Sequence, residues 1–218
     1  MFTNMMKMMY NNYSTIQIGA INLENRNTNT LRLVEAGLMA ALCFVGYTLF
    51  PAFNASGTKV HFGNAFVVIA AYLLGGTYGG LAGAIGLVIA DLVGGWAASA
   101  PRTFITKFVI GLIVGLVAHK IGHISDEDKK PADILKWTII ASIAGLGFNC
   151  VFEPGLKYVW YTFLFPNAEQ AAKAIKALLA VTTYTTIINA VINTIAAVLL
   201  FNAIRPALKK AGLLINVK

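Results

Sequence analysis

"KVHFGNAFVVIAAYLLGG", residues 59–76, and "GGLAGAIGLVIADLVGGW", residues 79–96, decide the fold. The first opens on a lysine and a histidine and is then almost wholly apolar up to its glycine pair. The second has one carboxylate, Asp91. Neither shows the polar face that a surface helix of a water-soluble protein needs, so both read as membrane segments. The rest of the chain agrees. Of 218 residues, 57% are hydrophobic and 12% charged, with a mean hydropathy of +0.69; soluble domains carry about 25% charged residues. The reading is an all-α integral membrane protein in one compact bundle.

Six spans are expected: about Arg32 to Phe50, His61 to Leu74, Tyr78 to Trp96, Pro101 to Ile121, Ile134 to Phe152 and Leu178 to Ile204. Proline suits a first helical turn and stops an interior one. Pro101 therefore opens the fourth span, while Pro51, Pro154 and Pro206 end the first, fifth and sixth. The second span is short against the roughly 20 residues of a full crossing. Residues 1–30 read as a polar cytoplasmic arm, 31–206 as the membrane domain and 207–218 as a short cytoplasmic tail. The arm has none of the three parts of a signal peptide.

The net charge of +8 has no basic stripe interleaved with aromatics, so nucleic acid is not expected as a partner. Its reading is orientation. The arm, the loop around "HKIGHISDEDKK" and the tail hold 11 of the 17 Lys and Arg, leaving 6 for the other side. Both termini are expected in the cytoplasm.

A charge at bilayer depth costs about 2.5–3.5 kcal/mol on insertion scales, so each one asks for a reason. Asp91 and Lys107 lie six residues from the same outer turn and are expected at equal depth. They either neutralise each other or face a cavity. Arg102, at the mouth of that turn, either clamps an acidic group or snorkels to the interface. Glu153 and Lys157 are four apart and suit a helical pair, with Asn149 one turn deeper. Thr182, Thr185 or Thr186, Asn189 and Asn193 form a stripe that serves interhelical hydrogen bonding or cavity lining. His61 and Asn64 sit at the outer start of the second span.

His119 and His123 have a metal-compatible spacing but no third ligand, so no metal and no cofactor are expected. Cys43 and Cys150 read as small hydrophobes. No Walker A motif and no hydrolytic constellation is present, which argues against an enzyme. Gly79 with Gly83, Ala82 with Gly86, Gly86 with Ala90 and Gly111 with Gly115 place small residues where helices approach closely.

The stretches "EAGLMAAL" (35–42), "VHFGNAFVVIAAYLLGG", "GGLAGAIGLVIADLVGGW" and "APRTFITKFVIGLIVGLVAH" (100–119), in this order and spacing, resemble the substrate-binding S-components of energy-coupling factor (ECF) vitamin transporters. The resemblance covers about residues 32–205. It implies a six-helix bundle that captures a vitamin or precursor from outside and docks on a transmembrane coupling protein carrying two cytoplasmic ATPases. It places ligand contacts in regions that hold Asn54, Trp96, Arg102, Lys107, Asn149, Glu153, Tyr158, Tyr184 and Asn189. His61, Asn64 and Asp91 join them from the reading of the polar groups. It also implies partner docking on the small-residue strip Ala36, Gly37, Ala40 and Ala41. The preferred ligand is a hydroxymethylpyrimidine- or pyridoxine-type heteroaromatic, with riboflavin and pantothenate as alternatives. Two rival classes are a proton-coupled secondary transporter using Asp91 or Glu153, and a structural membrane subunit without a ligand.

Overall fold

The computed structural model describes residues 29–48, 54–55, 58–126, 128–164, 169–214 and 217. Nearly all of the polar arm and part of the first loop lie outside the described residues. Among the described residues, five helices are long and apolar enough to cross a membrane. They are α1 (Asn29–Thr48), α2 (Gly63–Val93), α3 (Ala100–Gly115, extended by a π-helical stretch to Ile121), α4 (Pro131–Val159, extended likewise to Leu164) and α5 (Glu169–Lys210). A two-residue ladder, β1 (Asn54–Ala55) with β2 (Thr58–Lys59), lies between α1 and α2.

The expected second and third spans form one helical run, α2, broken at Gly75. There the backbone has φ 82° and ψ 175°, a conformation open to glycine alone at little cost. The chain reverses at that point. A Cβ on Gly79 would strike the backbone of Ala70 and Ala71, and one on Gly83 would strike the Val67 side chain. These contacts are symmetric about residue 75, as an antiparallel helical hairpin requires. The first arm is buried almost throughout, which explains why its sequence lacks a polar face: no face of it meets solvent.

Small residues set the crossings. A Cβ on Gly111 would overlap the Gly80 backbone, one on Gly115 the Gly76 backbone, and one on Gly86 the Ala40 carbonyl. Backbones in such contact gain dispersion and weak Cα–H···O attraction, the terms that hold helices together in lipid.

The reversal frees carbonyls at the end of the first arm. His119 takes the Ala71 carbonyl through Nε2 at 2.9 Å. A carbonyl only accepts, so Nε2 carries the proton and Nδ1 accepts from the Ser125 hydroxyl at 2.9 Å. The Tyr72 hydroxyl meets the Thr138 carbonyl and the Ser142 hydroxyl, both on α4, at 2.5 Å.

Two proline readings are corrected. Pro101 does open α3, but Pro154 lies inside α4 and Pro206 inside α5. In lipid an interrupted helix has no water to unravel into, so a single missing N–H leaves the helix intact. The connection expected over 154–177 is therefore mostly helix, with residues 165–168 outside the described ones. Large apolar side chains such as Ile85, Leu112, Ile143, Val151 and Leu199 face outward, an apolar exterior suited to lipid.

Candidate functional site

At the bundle end opposite the Gly75 reversal, the end of α1, both ends of α2 and parts of α3, α4 and α5 surround a cavity of about 320 Å³. Of the expected site residues, His61, Asn64, Asp91, Trp96, Arg102, Lys107, Glu153 and Asn189 line it. Asn149 is buried one turn below, and Tyr158 and Tyr184 stand exposed outside the lining. Asn54 pairs with Lys59 in the two-residue ladder, and its side chain lies outside the described residues.

The start of α2 is held by α5. Asn189 Oδ1 accepts from the His61 amide at 2.9 Å while its Nδ2 donates to the Lys59 carbonyl at 2.9 Å. One turn on, Asn193 Oδ1 accepts from the Ala65 amide at 2.8 Å and its Nδ2 donates to the His61 carbonyl at 2.9 Å. A helix start leaves backbone N–H groups without partners. Here the Ala65 amide is met by Asn193 and the Phe62 carbonyl, while Asn189 holds the chain just before the helix, so the polar stripe on α5 positions the cavity wall.

The charged pairs differ from the simplest expectation. Lys107 Nζ lies 3.4 Å from Glu153 Oε2, and Arg102 Nη1 lies 3.7 Å from Glu153 Oε1. Asn149 Nδ2 donates to the same carboxylate at 3.0 Å. Asp91 instead accepts from the Thr103 hydroxyl at 2.5 Å. Equal depth did bring Asp91 and Lys107 into one cavity, but depth says nothing of rotation about the helix axis. On α3, Thr103 turns toward α2 and Lys107, one turn on, toward α4. Lys157 also departs from its expected partner: its ammonium donates to the Thr182 hydroxyl of α5 at 2.9 Å.

His61 sits outside the membrane-spanning segments yet is buried. Burial pushes its pKa down to about 3, reinforced by the Lys107 and Lys59 ammonium groups and opposed by Glu153. The imidazole is therefore neutral, with Nδ1 accepting from the Gly63 amide at 3.1 Å and its ring edge-on to Tyr47 at 4.7 Å. Lys59 Nζ lies 4.6 Å above the Tyr47 ring centroid, a cation–π contact.

Thr186, a member of the stripe read as hydrogen-bonding or cavity-lining, does line the cavity, and Tyr47, Thr48, Lys59 and Thr103 line it without having been singled out for it. Only Thr103 had a readable signal, one helical turn before Lys107 and facing the same outer turn. The small-residue strip on α1 divides. Ala36 and Ala40 are partly buried against the core, whereas Gly37 and Ala41 are exposed and Gly37 has no neighbour where a Cβ would stand.

Chemically the cavity offers aromatic surface from Tyr47 and Trp96, hydroxyls, amides and several charges, with no nucleophile activated by a base. Neither a curated protein nor a solved structure matches the chain. The family model described as "ECF-type riboflavin transporter, S component" matches residues 27–206. That span includes every helix that surrounds the cavity. The chain belongs to this S-component family: it is a membrane-embedded substrate-binding subunit for vitamin uptake and not an enzyme.

Proposed function

We propose that the cavity is the vitamin site of this subunit and that the bound molecule is a water-soluble heteroaromatic. The observation that carries this reading is the convergence of all five helices' polar side chains on one cavity at a single end of an otherwise apolar bundle. Its volume of about 320 Å³ is at the small end of the roughly 300–1,000 Å³ of ligand pockets. A flat ring would lie against Tyr47 and Trp96, with Asn64 and the threonine hydroxyls reading its polar edge. Asn189 would act through the backbone it holds. A riboflavin-type ligand is the first to test, because the family carries that name. The preference for hydroxymethylpyrimidine or pyridoxine has only motif likeness behind it.

The orientation follows the charge bias, with both termini cytoplasmic and the cavity open to the outside. Counting the two arms of α2 separately gives six segments, the first arm about 18 Å long at 1.5 Å per residue. The membrane domain is taken as 31–206, between a polar arm over 1–30 and a tail over 207–218. The subunit would deliver its ligand through a transmembrane coupling protein with two cytoplasmic ATPases, docking by the small-residue strip of α1. Gly37 and Ala41 are the cleaner positions to probe, since Ala40 already packs against Gly86.

Isothermal titration of the purified chain against a vitamin panel that includes riboflavin, hydroxymethylpyrimidine and pyridoxine tests the reading. A tight binder is expected, and loss of that binding in Asp91→Asn or Asn64→Leu assigns it to the cavity. Silence across the panel from well-folded protein defeats it.

A further inference from the structure

The charges that line the cavity do not balance. Lys59, Arg102, Lys107 and Lys157 face it against Asp91 and Glu153, and His61 adds no charge. Glu153 is shared by Arg102 and Lys107. Lys157 is only 4% exposed, and among the described residues its ammonium meets the neutral Thr182 hydroxyl and no carboxylate within ion-pair distance. Arg102 Nε is also buried without a hydrogen-bond partner. Buried charges are ordinarily paired, and a buried donor left open is costly. Here one cavity is lined by an ammonium whose partner is a neutral hydroxyl and by a guanidinium whose Nε is buried without a partner.

We infer that the ligand carries an anionic oxygen group, a carboxylate or a phosphoryl, which is received by Lys157 and Arg102 while the rest of the molecule occupies the Tyr47–Trp96 side. This rests on the reading of the cavity as the ligand site and narrows it to acidic ligands. A neutral vitamin would leave the lining with two positive charges in excess; a carboxylate offsets one of them and a phosphoryl group both. Charge-assisted hydrogen bonds of this kind are the strong ones.

Matched pairs of neutral and anionic compounds test it on the full-length purified chain: riboflavin with riboflavin 5′-phosphate, pyridoxine with pyridoxine 5′-phosphate, and pantothenol with pantothenate. At least one anionic member should bind about 10- to 100-fold more tightly than its neutral partner, as one charged hydrogen bond of about 1.5–3 kcal/mol gives. The gap should narrow as salt rises, since the charge on the free ligand is screened. Preference within the phosphate pairs or within the carboxylate pair tells the two acids apart. Lys157→Met should reduce the gap to less than about threefold, with Lys157→Gln as the substitute where Met lowers folded yield. If every neutral member that binds does so as tightly as its anionic partner, the inference is overturned while the vitamin site stands. A full preference retained in both Lys157 variants also overturns it. Absence of binding by any compound to folded protein removes the vitamin site and the inference together.

Discussion

The two ends of the bundle are built on opposite rules from the same helices. At the Gly75 end, small residues let backbones touch: Gly111 lies on Gly80, Gly115 on Gly76, and His119 takes the Ala71 carbonyl that the reversal frees. At the cavity end, long polar side chains hold the helices apart and tie them by charge and amide contacts across about 320 Å³ of open space. Lipid explains why both are stable. Close packing between small residues is the main adhesive where no hydrophobic effect operates between helices. Polar groups survive at depth only when they pair or face a cavity. The closed end supplies cohesion, and the open end uses some of it to hold a polar cavity apart.

Filling the closed end should have the largest effect. Gly115→Leu puts a side chain into the Gly76 backbone, where neither neighbour can yield. Overpacking typically costs about 1–3 kcal/mol when side chains can shift, and here the obstacle is main chain. We expect almost no monodisperse protein on size-exclusion chromatography, whereas Gly147→Leu, with nothing within 4 Å of its Cβ position, should purify normally. Equal yields would mean that the close crossing is not what holds this end together.

At the open end, the pairing is tested by coupling. Glu153→Gln leaves Arg102 and Lys107 facing each other, and loss of one partner in a buried pair costs about 3–5 kcal/mol. Lys107→Met in the same chain should recover part of that loss, with an interaction energy of about 0.5–3 kcal/mol. Lys107→Met combined with Asp91→Asn should be closer to additive, because Asp91 is held by Thr103. Thermal unfolding of the three single and two double variants in one detergent gives the comparison. Stronger coupling to Asp91 than to Glu153 would reverse the assignment of partners.

The junction between the ends is the carboxamide clamp. Asn193→Leu removes the donor to the His61 carbonyl and leaves the Ala65 amide with the Phe62 carbonyl alone. An unsatisfied buried group costs about 1–3 kcal/mol, so a destabilisation of about 2 kcal/mol is expected, together with weakened ligand binding as the His61 backbone loosens. Asn202→Leu lies on the same helix outside the clamp, where Nδ2 donates to the Thr138 hydroxyl and the Val198 carbonyl. It should lower stability while leaving affinity unchanged.

Much of this division was legible in residues 59–96 and 100–119, because apolarity, glycine spacing and isolated charges follow directly from what lipid tolerates. Asp91, Arg102, Lys107 and Glu153 were readable as members of one polar region since charges at depth must find company. Their partners were not. The choice of Glu153 over Asp91 for Lys107 depends on how α3 is rotated, and a spacing of four on α4 could not reveal that Lys157 turns to Thr182. The stops expected at Pro154 and Pro206 fail for a different reason: the rule that proline ends a helix comes from chains that can hand the freed carbonyl to water. Gly75 was visible only as one of a glycine pair, and nothing local marked it as the point of reversal.

The smallest expected effect concerns His61, which joins the cavity to the start of α2. Its folded-state pKa is lowered to about 3 by burial first and by Lys107 and Lys59 after it, against about 6.5 for an unperturbed histidine. The unfolded chain therefore binds a proton that the folded chain refuses. Stability is full above pH 6.5 and falls as the pH drops from there toward 3, at up to about 1.4 kcal/mol per pH unit. Between pH 7.5 and 5.5 the loss from this residue alone comes to about 1.4 kcal/mol. His61→Gln keeps a polar side chain at the position but has no proton to bind, so its stability should change less over the same interval. The measurement is the difference in midpoint between native chain and variant, taken at both pH values, which cancels the titration of groups common to the two. Parallel pH profiles would show that the imidazole accepts a proton in the folded state. The neutral acceptor role assigned to it beside Gly63 would then be withdrawn.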